Sequence, residues 1–467
     1  MKISNGITIE DFQNGIEKED ICGIPALLRR ISLKSTWTIS GYSTEIKIME
    51  EIMDRERMMK NVAEIFSRGA VDKNLPAWVN MRHAWKASDA ARDRGLEYPA
   101  NVVQIKNLDY KKALDEVRFN ELIETWNRGQ HTNDRDNRVQ SQNKELLNDT
   151  VDLTYEADET PKSRCEGLER NVVRFADSGD AADVDSASYT SNSYMDLCVP
   201  ISYMTDENRK YPVIVSVHGG GWFYGDKELY SHYCCLLAEH GYVVVNFNYR
   251  LSPQNKYPAA IEDVAYLIRY IHENAQTLGI DIDNFYMVGD SAGAQLTANY
   301  CIIASNSDYR AKLDFFTYDL LPKKVCLNCG AYKMAERNDN ISAWYLRNDV
   351  DDDQNSDGKT RSHDRAEKCE SKKKSQTYAV TEEQYKLFMD QLDYINADFP
   401  EAYLMYSVND DLASHTKALD EVLNKVGVAH ITKAYGQNNP DSGHIFHMNM
   451  YNPEGILCNE DECAFMR

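Results

Sequence analysis

The amino-acid sequence predicts an α/β fold, in which a mostly parallel central sheet is covered by helices. From about Val172 onward, short apolar runs typical of strands alternate with stretches typical of helices. This alternation is characteristic of parallel strands that are joined by helical crossovers. Two glycine-rich motifs, at 218–222 and 289–293, each follow an apolar run, which is where tight turns at the ends of buried strands are expected.

The expected elements follow one another in chain order. Strands are expected where apolar and β-branched residues dominate a short run, at 195–200, 213–218, 242–246, 285–288, 402–408 and 429–435. Helices are expected before and between them, at 78–85, 110–126, 230–240, 259–278, 292–304, 381–391 and 414–426. Gly241 and Gly279 directly follow two of these helices, in the position that a helix end prefers.

Residues 1–171 differ in sequence pattern from the α/β domain, which is expected to span residues 172–467. Apolar side chains recur at helical spacing over 43–69, so a helical N-terminal extension is predicted. The methionines of that stretch suit either an adaptable cap over a pocket or ordinary packing on the back of the sheet. A polar linker is expected at 127–163, and a charged, disordered insertion is expected at 350–377.

The composition argues against several classes of function. The formal net charge of −22 disfavours nucleic acid or an anionic membrane surface as a partner. No run approaches the roughly 20 apolar residues that span a bilayer, and the N-terminus lacks the apolar stretch of a signal peptide. The 11 cysteines are scattered and odd in number, which favours free thiols in a reducing cytoplasm. Cys326 and Cys329 form the only C-x-x-C pair, so buried core thiols are favoured and no metal or cofactor is expected.

The motif Gly-Asp-Ser-Ala-Gly at 289–293 is typical of a nucleophile elbow, a sharp strand-to-helix turn that exposes a serine Oγ. Ser291 is therefore the candidate nucleophile, and the alternative is a tight turn without chemistry. The motif His-Gly-Gly-Gly-Trp at 218–222 can present N–H groups to a developing oxyanion. The expected oxyanion donors are the N–H groups of Gly220, Gly221 and Ala292.

The side chains around these motifs have expected roles of their own. Trp222 is a candidate substrate-binding residue, with anchoring of the loop as the equal alternative. Asp290 is expected to hold the turn through hydrogen bonds rather than to act in catalysis. His218 is expected to brace the glycine loop rather than to transfer protons.

A serine hydroxyl is a weak nucleophile and needs a base, which in turn needs an orienting acid. In folds with this elbow the acid and then the base follow the serine along the chain. The acid is expected on the loop after the 402–408 strand, where Asp410 is the candidate and Asp411 the alternative. The base is expected after the last strand, where His444 is the candidate and His447 the alternative.

Four motifs fall in the order and spacing of one known family. They read His-Gly-Gly-Gly-Trp at 218–222, Tyr-Arg-Leu-Ser-Pro at 249–253, Tyr-Pro-Ala-Ala-Ile-Glu-Asp at 257–263 and Gly-Asp-Ser-Ala-Gly at 289–293. In these motifs the chain resembles the hormone-sensitive-lipase-like family, carboxylesterases with the α/β-hydrolase fold. The resemblance is strong over 211–300. Weaker matches continue at 398–400, 409–412 and 443–446.

The resemblance implies a triad of Ser291, Asp410 and His444, the same oxyanion donors as above, and N-terminal helices that form a cap over the pocket. The chain departs from the family at His444-Ile-Phe, where His-Gly-Phe is common. The charged insertion and the long N-terminal extension also go beyond a typical member, and they concern substrate preference more than reaction type.

Motifs and resemblance together predict a serine carboxylesterase that hydrolyses short-chain, acetyl-like esters through an acyl-enzyme. Its expected partner is a small-molecule ester. An amidase, an arylformamidase or a peptidase on the same fold is the alternative, because the triad serves amides as well as esters. A ligand-binding protein that has lost catalysis is a further alternative. It would lack a member of the triad, whereas Ser291, Asp410 and His444 are all available.

Overall fold

The computed structural model describes residues 2–3, 7–8, 75–128, 171–175, 193–206, 208–334, 340–346 and 381–467. The chain divides into two compact units, Met1–Ser67 and Arg68–Arg467. In the first unit, the described residues form an antiparallel pair of β1 (Lys2–Ile3) with β2 (Ile7–Thr8). The amphipathic helix predicted at 43–69, the linker from residue 129 and the insertion at 350–377 lie outside the described residues.

The second unit is built on a nine-stranded sheet with the order β11-β10-β9-β8-β6-β7-β5-β3-β4. Only β5 runs antiparallel to its two neighbours, β3 and β7, and the other described pairs are parallel. The strands are β3 (Val102–Asp109), β4 (Val172–Arg174), β5 (Tyr194–Pro200), β6 (Tyr211–Val217), β7 (Val243–Phe247), β8 (Ile280–Asp290), β9 (Lys324–Asn328), β10 (Glu401–Ser407) and β11 (His430–Tyr435).

Helices occupy the stretches between these strands. They are α1 (Ala77–Arg92), α2 (helical over the described residues 116–128), α3 (Ser231–Glu239), α4 (Ala259–Glu273), α5 (Ala292–Ser305), α6 (Ser307–Arg310), α7 (Asn340–Leu346), α8 (Glu382–Met389), α9 (Ala413–Val426) and α10 (Pro453–Met466). None of the helices in the described ranges is long and apolar enough to cross a membrane. Local signals set several helix ends. For example, the Asn452 side chain accepts from the Glu454 N–H at the start of α10, and Gly427 ends α9 with φ +79°.

Both faces of the sheet are buried, because successive side chains of a strand point to opposite sides. Along β6, Val213 and Val215 pack in one core cluster, which also contains apolar residues of α4, α5 and α9. Ile214, between them, packs in a second cluster with residues of α3 and α10. The sheet is therefore covered by helices on both sides, and the predicted α/β fold class is confirmed.

The strands and helices that the sequence predicts from residue 195 onward are present, with ends that differ by a few residues, except that the long helix expected at 259–278 ends at Glu273. Sequence analysis missed the strands β1, β2, β3, β4 and β9 and the helices α6, α7 and α10. The strand β3 lies inside the region 1–171, for which only helices were predicted. The described part of that region thus contributes an inner strand of the sheet as well as helices.

Strand β3 buries its polar residues together with its apolar ones, and the partners of these polar residues lie far away in the sequence. Lys106 forms a hydrogen bond with Glu228 and lies 3.7 Å from a carboxylate oxygen of Asp196. The N–H of Asn107 donates to the same Asp196 side chain at 2.9 Å. Lys227, 4% exposed, completes the cluster with a bond of 2.9 Å to Asp196. Each buried charge is paired, which is the condition for burying it at tolerable cost.

A second buried charge lies on α10. Glu462 is fully buried and accepts hydrogen bonds from the Tyr233 hydroxyl at 2.6 Å and from the Asn328 amide. Burial raises the pKa of Glu462 to about 7, against the hydrogen bonds from Tyr233 and Asn328, which act to lower it. The carboxyl group is therefore held partly protonated near neutral pH.

We expect Glu462→Gln to raise the melting temperature at pH 8 and to change it little at pH 5. The folded-state pKa lies above the value of about 4.5 for an unfolded glutamate, so the stability linked to this group is present below pH 4.5 and is lost as the pH rises through 7. The loss is on the order of 3 kcal/mol at most, and an amide in place of the acid avoids it. Thermal unfolding at the two pH values measures the difference.

The matched control is Glu460→Gln, which changes an exposed glutamate on the same helix. Its effect on the melting temperature is expected to be small at both pH values. An equal gain for the two variants at pH 8 would show that net charge, rather than the buried carboxyl group, sets the response.

Candidate active site

The turn between β8 and α5 holds Ser291 in a rare backbone conformation. Its φ is +52° and its ψ is −116°, values that a residue with a Cβ seldom adopts. The Ser291 N–H donates to the Asn328 carbonyl at 2.8 Å, which ties the turn to the end of β9. A Cβ at Gly293 would lie 2.0 Å from the Val217 carbonyl oxygen, so this position accepts only glycine. The predicted elbow is present, and it lifts the serine hydroxyl away from the backbone.

The Ser291 hydroxyl is the first member of a chain of three hydrogen-bonded side chains. Its Oγ lies 2.9 Å from Nε2 of His444, and Nδ1 of the same imidazole lies 2.9 Å from Oδ2 of Asp410. With a carboxylate at Nδ1, the ring proton resides on that nitrogen and Nε2 is free to accept from Oγ. The three residues predicted from chain order are thus in hydrogen-bond contact.

Two loops at one edge of the sheet supply the acid and the imidazole. Asp410 follows β10 and His444 follows β11, and these strands are parallel neighbours, so their ends meet. The Asp410 side chain is 1% exposed, whereas that of His444 is 38% exposed. The acid is therefore shielded from water, while the imidazole and the hydroxyl remain open to a small molecule.

The environment of Asp410 keeps this acid ionised. Burial alone would raise its pKa, but the charge of His444 and the hydrogen bond from its ring outweigh burial. The N–H of Leu412 donates to Oδ1 at 2.9 Å, and the Cys329 thiol donates as well. The pKa of Asp410 consequently lies below its ordinary value, so the side chain can orient and stabilise a protonated imidazole.

The alternatives for acid and base occupy different positions. His447 is fully buried, and its ring packs edge-on against Tyr233 with centroids 5.5 Å apart. Burial lowers the pKa of His447 to about 3, with the His444 charge adding to the effect. The Nδ1–H of His444 donates to the carboxylate of Asp410, the first of the two candidate acids.

The segment 218–224, here called the oxyanion loop, passes beside the serine. Gly220 and Gly221 have φ values of +102° and +59°, and a Cβ at Gly220 would lie 2.0 Å from the Tyr224 carbonyl oxygen. Within the described residues, the N–H groups of Gly220, Gly221 and Ala292 have no hydrogen-bond acceptor. Backbone donors without an acceptor, around a loop that contacts Asp290 and Gly293 on either side of the serine, are candidates for an oxyanion site.

The position of Trp222 favours the second of its two predicted roles. The side chain is 1% exposed, its Nε1 donates to Gln295 at 3.0 Å, and its ring stacks on Tyr345 at 4.9 Å. A side chain with so little solvent-exposed surface has little area for contact with a bound molecule, so anchoring of the loop is its better-supported role. Its candidate role in substrate binding is therefore weakened.

His218 has the bracing position that the sequence predicts. Its Nδ1 lies 2.8 Å from the Gly219 carbonyl oxygen and its ring stacks on Tyr249. Burial lowers the pKa of His218 to about 4, so the imidazole is neutral at physiological pH. It stabilises the oxyanion loop without carrying charge.

Tyr230 joins the oxyanion loop to the elbow and was missed by sequence analysis. Its hydroxyl accepts from the Gly219 N–H and donates to Oδ2 of Asp290, both at 2.8 Å. Burial raises the pKa of Asp290 to about 7. Asp290 thus holds the turn through a hydrogen bond, as expected. No local pattern marks Tyr230, because its partners are a backbone group 11 residues away and an acid 60 residues away.

The structure brings one group of possible metal ligands together in the ranges it describes. The ligand atoms of Cys329, Asp410 and His444 lie within 4.8 Å of one another. Burial raises the pKa of the Cys329 thiol well above its usual range, and the charge of Asp410 adds to this effect. The thiol therefore stays protonated and serves as a further donor to the carboxylate. Cys326 and Cys329 are both buried, as the sequence predicts.

Comparison with known proteins places these features in context. A family model described as BD-FAE matches residues 195–426. The chain is 41% identical over 91 residues to versiconal hemiacetal acetate esterase of Dothistroma septosporum, which covers 19% of this chain and 28% of that protein. It is 39% identical over 88 residues to carboxylesterase NlhH of Mycobacterium tuberculosis, and this match covers 19% of this chain and 28% of that protein.

An acetyl esterase of Salmonella paratyphi B is 36% identical over 122 residues, which cover 24% of this chain and 37% of that protein. The chain thus spans less than half the length of each of these curated relatives. Among solved structures, esterase B from Lactobacillus rhamnosis is similar with a TM-score of 0.53 and 20% sequence identity. The match covers 84% of this chain and 93% of that chain, and it shows a shared fold.

Proposed function

We propose that this chain, which belongs to the hormone-sensitive-lipase-like family of α/β-hydrolases, is a serine carboxylesterase acting on short-chain acyl esters. The observation that carries the proposal is the continuous hydrogen-bonded chain from Asp410 through His444 to Ser291. The unpaired N–H groups beside the serine support it further. All three members of the triad are present and in contact, which argues against a binding protein that has lost catalysis.

In the proposed reaction, Oγ of Ser291 attacks the ester carbonyl carbon while Nε2 of His444 takes the hydroxyl proton. The carbonyl oxygen becomes an oxyanion and accepts from the N–H groups of Gly220, Gly221 and Ala292. Asp410 stabilises the imidazolium through its hydrogen bond to Nδ1. The C–O bond to the alcohol then breaks, and the imidazolium gives its proton to the leaving oxygen.

The resulting acyl-enzyme is hydrolysed by the same groups in reverse roles. Nε2 of His444 takes a proton from a water molecule, whose oxygen attacks the acyl carbon. Collapse of the second tetrahedral species breaks the bond to Oγ, and the proton returns to Ser291. The products are an alcohol and a carboxylic acid, and no cofactor or metal is needed.

One observation supports a small acyl group. Two of the relatives are named an acetate esterase and an acetyl esterase, which for this chain supports the same substrate class.

We also propose a cytoplasmic location. The eight cysteines in the described part of the chain are all free and buried. Free thiols in this number are typical of a reducing compartment.

We expect Ser291→Ala, Asp410→Asn and His444→Ala each to lower kcat by several orders of magnitude. Removal of a triad nucleophile costs on the order of 10⁶ in turnover, because the covalent route is lost. Steady-state hydrolysis of p-nitrophenyl acetate by the purified variants measures the effect, and circular dichroism checks the fold.

Matched controls lie close by in the chain. Ser305→Ala changes a serine at the other end of α5, and Asp411→Asn changes the acid next to Asp410. Both variants are expected to stay within a few-fold of the wild type. If Ser291→Ala kept more than a few per cent of the wild-type rate, Ser291 could not be the nucleophile.

We expect kcat/KM to fall tenfold per pH unit below roughly pH 6–7, because a protonated imidazole cannot accept the serine proton. The pKa of Asp410 is held low, so this acid stays ionised throughout the range and His444 is the triad member whose protonation is expected to set the profile. In Asp410→Asn the residual activity should have its acid limb at lower pH, since the imidazolium loses a stabilising carboxylate. A wild-type profile that stays flat down to pH 5 would assign the base to another group.

We expect the highest kcat/KM for acetate to butyrate esters in a p-nitrophenyl series that runs to palmitate, with an aryl-formamide measured alongside. The acetate esterase and the acetyl esterase among the relatives are the reason for this expectation. A maximum at long chains would contradict the substrate class, and preference for the formamide would make the arylformamidase reading correct.

A further inference from the structure

We propose that Arg82, on helix α1, is a positioning residue that fixes the oxyanion loop in its catalytic geometry. The inference rests on the proposed function, because it concerns the transition-state donors of that reaction. Arg82 is 0% exposed and lies more than 130 residues before the loop in sequence. Helix α1 precedes the segment 195–426 that matches the family model, so a part of the chain outside that match would set the reactivity of the site.

One face of α1 lies against the oxyanion loop. Trp78, Arg82, Trp85 and Asp89 are spaced four, three and four residues apart, which places them in one row along the helix. Trp85 packs on both Phe223 and Tyr224, with ring centroids 4.9 and 5.5 Å apart. The Asp89 carboxylate accepts from the Tyr224 hydroxyl at 2.7 Å.

The Arg82 guanidinium lies at the centre of this row and binds two loops at once. Its Nε donates to the Phe223 carbonyl oxygen at 2.6 Å. Its NH2 group donates to the Ser252 carbonyl oxygen at 2.9 Å and to the Gln254 side chain at 3.1 Å. The Trp78 ring covers the guanidinium at 4.5 Å. A planar fork with several fixed donors can hold two carbonyl groups in register, which a lysine ammonium does less well.

The second of these loops is itself bonded to the first. The Ser252 N–H donates to the Trp222 carbonyl oxygen at 2.8 Å. Arg82 thus binds the carbonyl of Phe223 directly. It holds the carbonyl of Trp222 indirectly, through the Ser252 backbone that hydrogen-bonds to it. Both peptide groups lie within three residues of Gly221, so holding them restricts the turn that carries the N–H groups proposed to bind the oxyanion.

The loop needs such support because its backbone is unfavourable by itself. Gly220, Gly221 and Trp222 are three successive residues with positive φ, at +102°, +59° and +61°. Trp222 carries a Cβ, so its left-handed conformation persists only when the surroundings impose it. Without the guanidinium we expect this turn to relax, so that the N–H groups no longer point to the position of the oxyanion.

The test compares the steady-state kinetics of Arg82→Ala and Arg82→Lys with those of the wild type. A misaimed oxyanion site weakens transition-state binding, so kcat should fall on the order of 10–100-fold with little change in KM. The lysine variant should lie between alanine and wild type. The Ki of a trifluoromethyl ketone, whose adduct with the serine carries an oxyanion, should rise by the same factor as kcat falls.

The matched control is Arg310→Ala. Arg310 also donates to two backbone carbonyl groups, those of Ile303 and Ala304, but at the far end of α5 from the serine. It should leave kcat and Ki within a few-fold of the wild type. Guanidinium chloride at millimolar concentration should partly restore the kcat of Arg82→Ala and should not change Arg310→Ala, because only the former has an emptied guanidinium site at the loop.

Hydrogen exchange of the 218–224 amides gives a readout that does not depend on activity. These amides should exchange faster in Arg82→Ala than in wild type or Arg310→Ala. If wild type hydrolyses no ester, the proposed function fails while loop exchange still decides the role of Arg82. Unchanged loop exchange, or an equal loss of kcat in Arg310→Ala, would overturn the positioning role.

Discussion

The rest of the site depends on the left-handed backbone of Ser291, which no local preference of the sequence supports. A serine at φ +52° is stable only if the elements on either side are held closer together than an ordinary turn would allow. Three parallel strands do this, since the Ser291 N–H binds the Asn328 carbonyl at the end of β9 and Gly293 fits under the Val217 carbonyl at the end of β6. The elbow is therefore a property of the assembled sheet. Packing of both sheet faces provides the free energy that keeps this strained turn in place.

Beneath the elbow, the protein buries acids whose charge is only partly balanced. Asp290 and Glu462 are both buried deeply enough to raise their pKa values to about 7, and each is held by a tyrosine hydroxyl. Such groups destabilise the folded state at neutral pH. Their contribution is to hold neighbouring groups in place. Asp290 reaches the oxyanion loop through Tyr230, and Glu462 reaches the strand end that binds the Ser291 N–H through Asn328. Both carboxyl groups thus lower the free energy of unfolding at neutral pH, and both help to fix the geometry around the serine.

Local patterns in the sequence predicted the strands from residue 195 onward, except β9, and the three side chains that meet at the site. This worked because period, turn glycines and chain order are all short-range or topological signals. The same signals failed wherever a polar residue is buried by a distant partner. Lys106 in β3 pairs with Glu228, 122 residues away, and Arg82 binds Ser252, 170 residues away. A polar residue in a sequence gives no indication of such a partner, so β3 was read as part of a helical region. The helix at 78–85 was predicted, but its contact with the oxyanion loop was not.

Residues that contact the candidate site therefore also lie outside the segment that is similar to known proteins. The family model covers the strands β5 to β10, the elbow and Asp410, whereas β11 and His444 lie after the match. Helix α1 and strand β3 lie before it, yet one touches the oxyanion loop and the other completes the interior of the sheet next to β5. A segment outside the family match can thus influence how the groups inside it are positioned. Because transition-state stabilisation depends steeply on the placement of fixed dipoles, small differences in such a segment can change the rate without changing the chemistry. In this protein helix α1 is such a segment, since its side chains contact the loop beside Ser291.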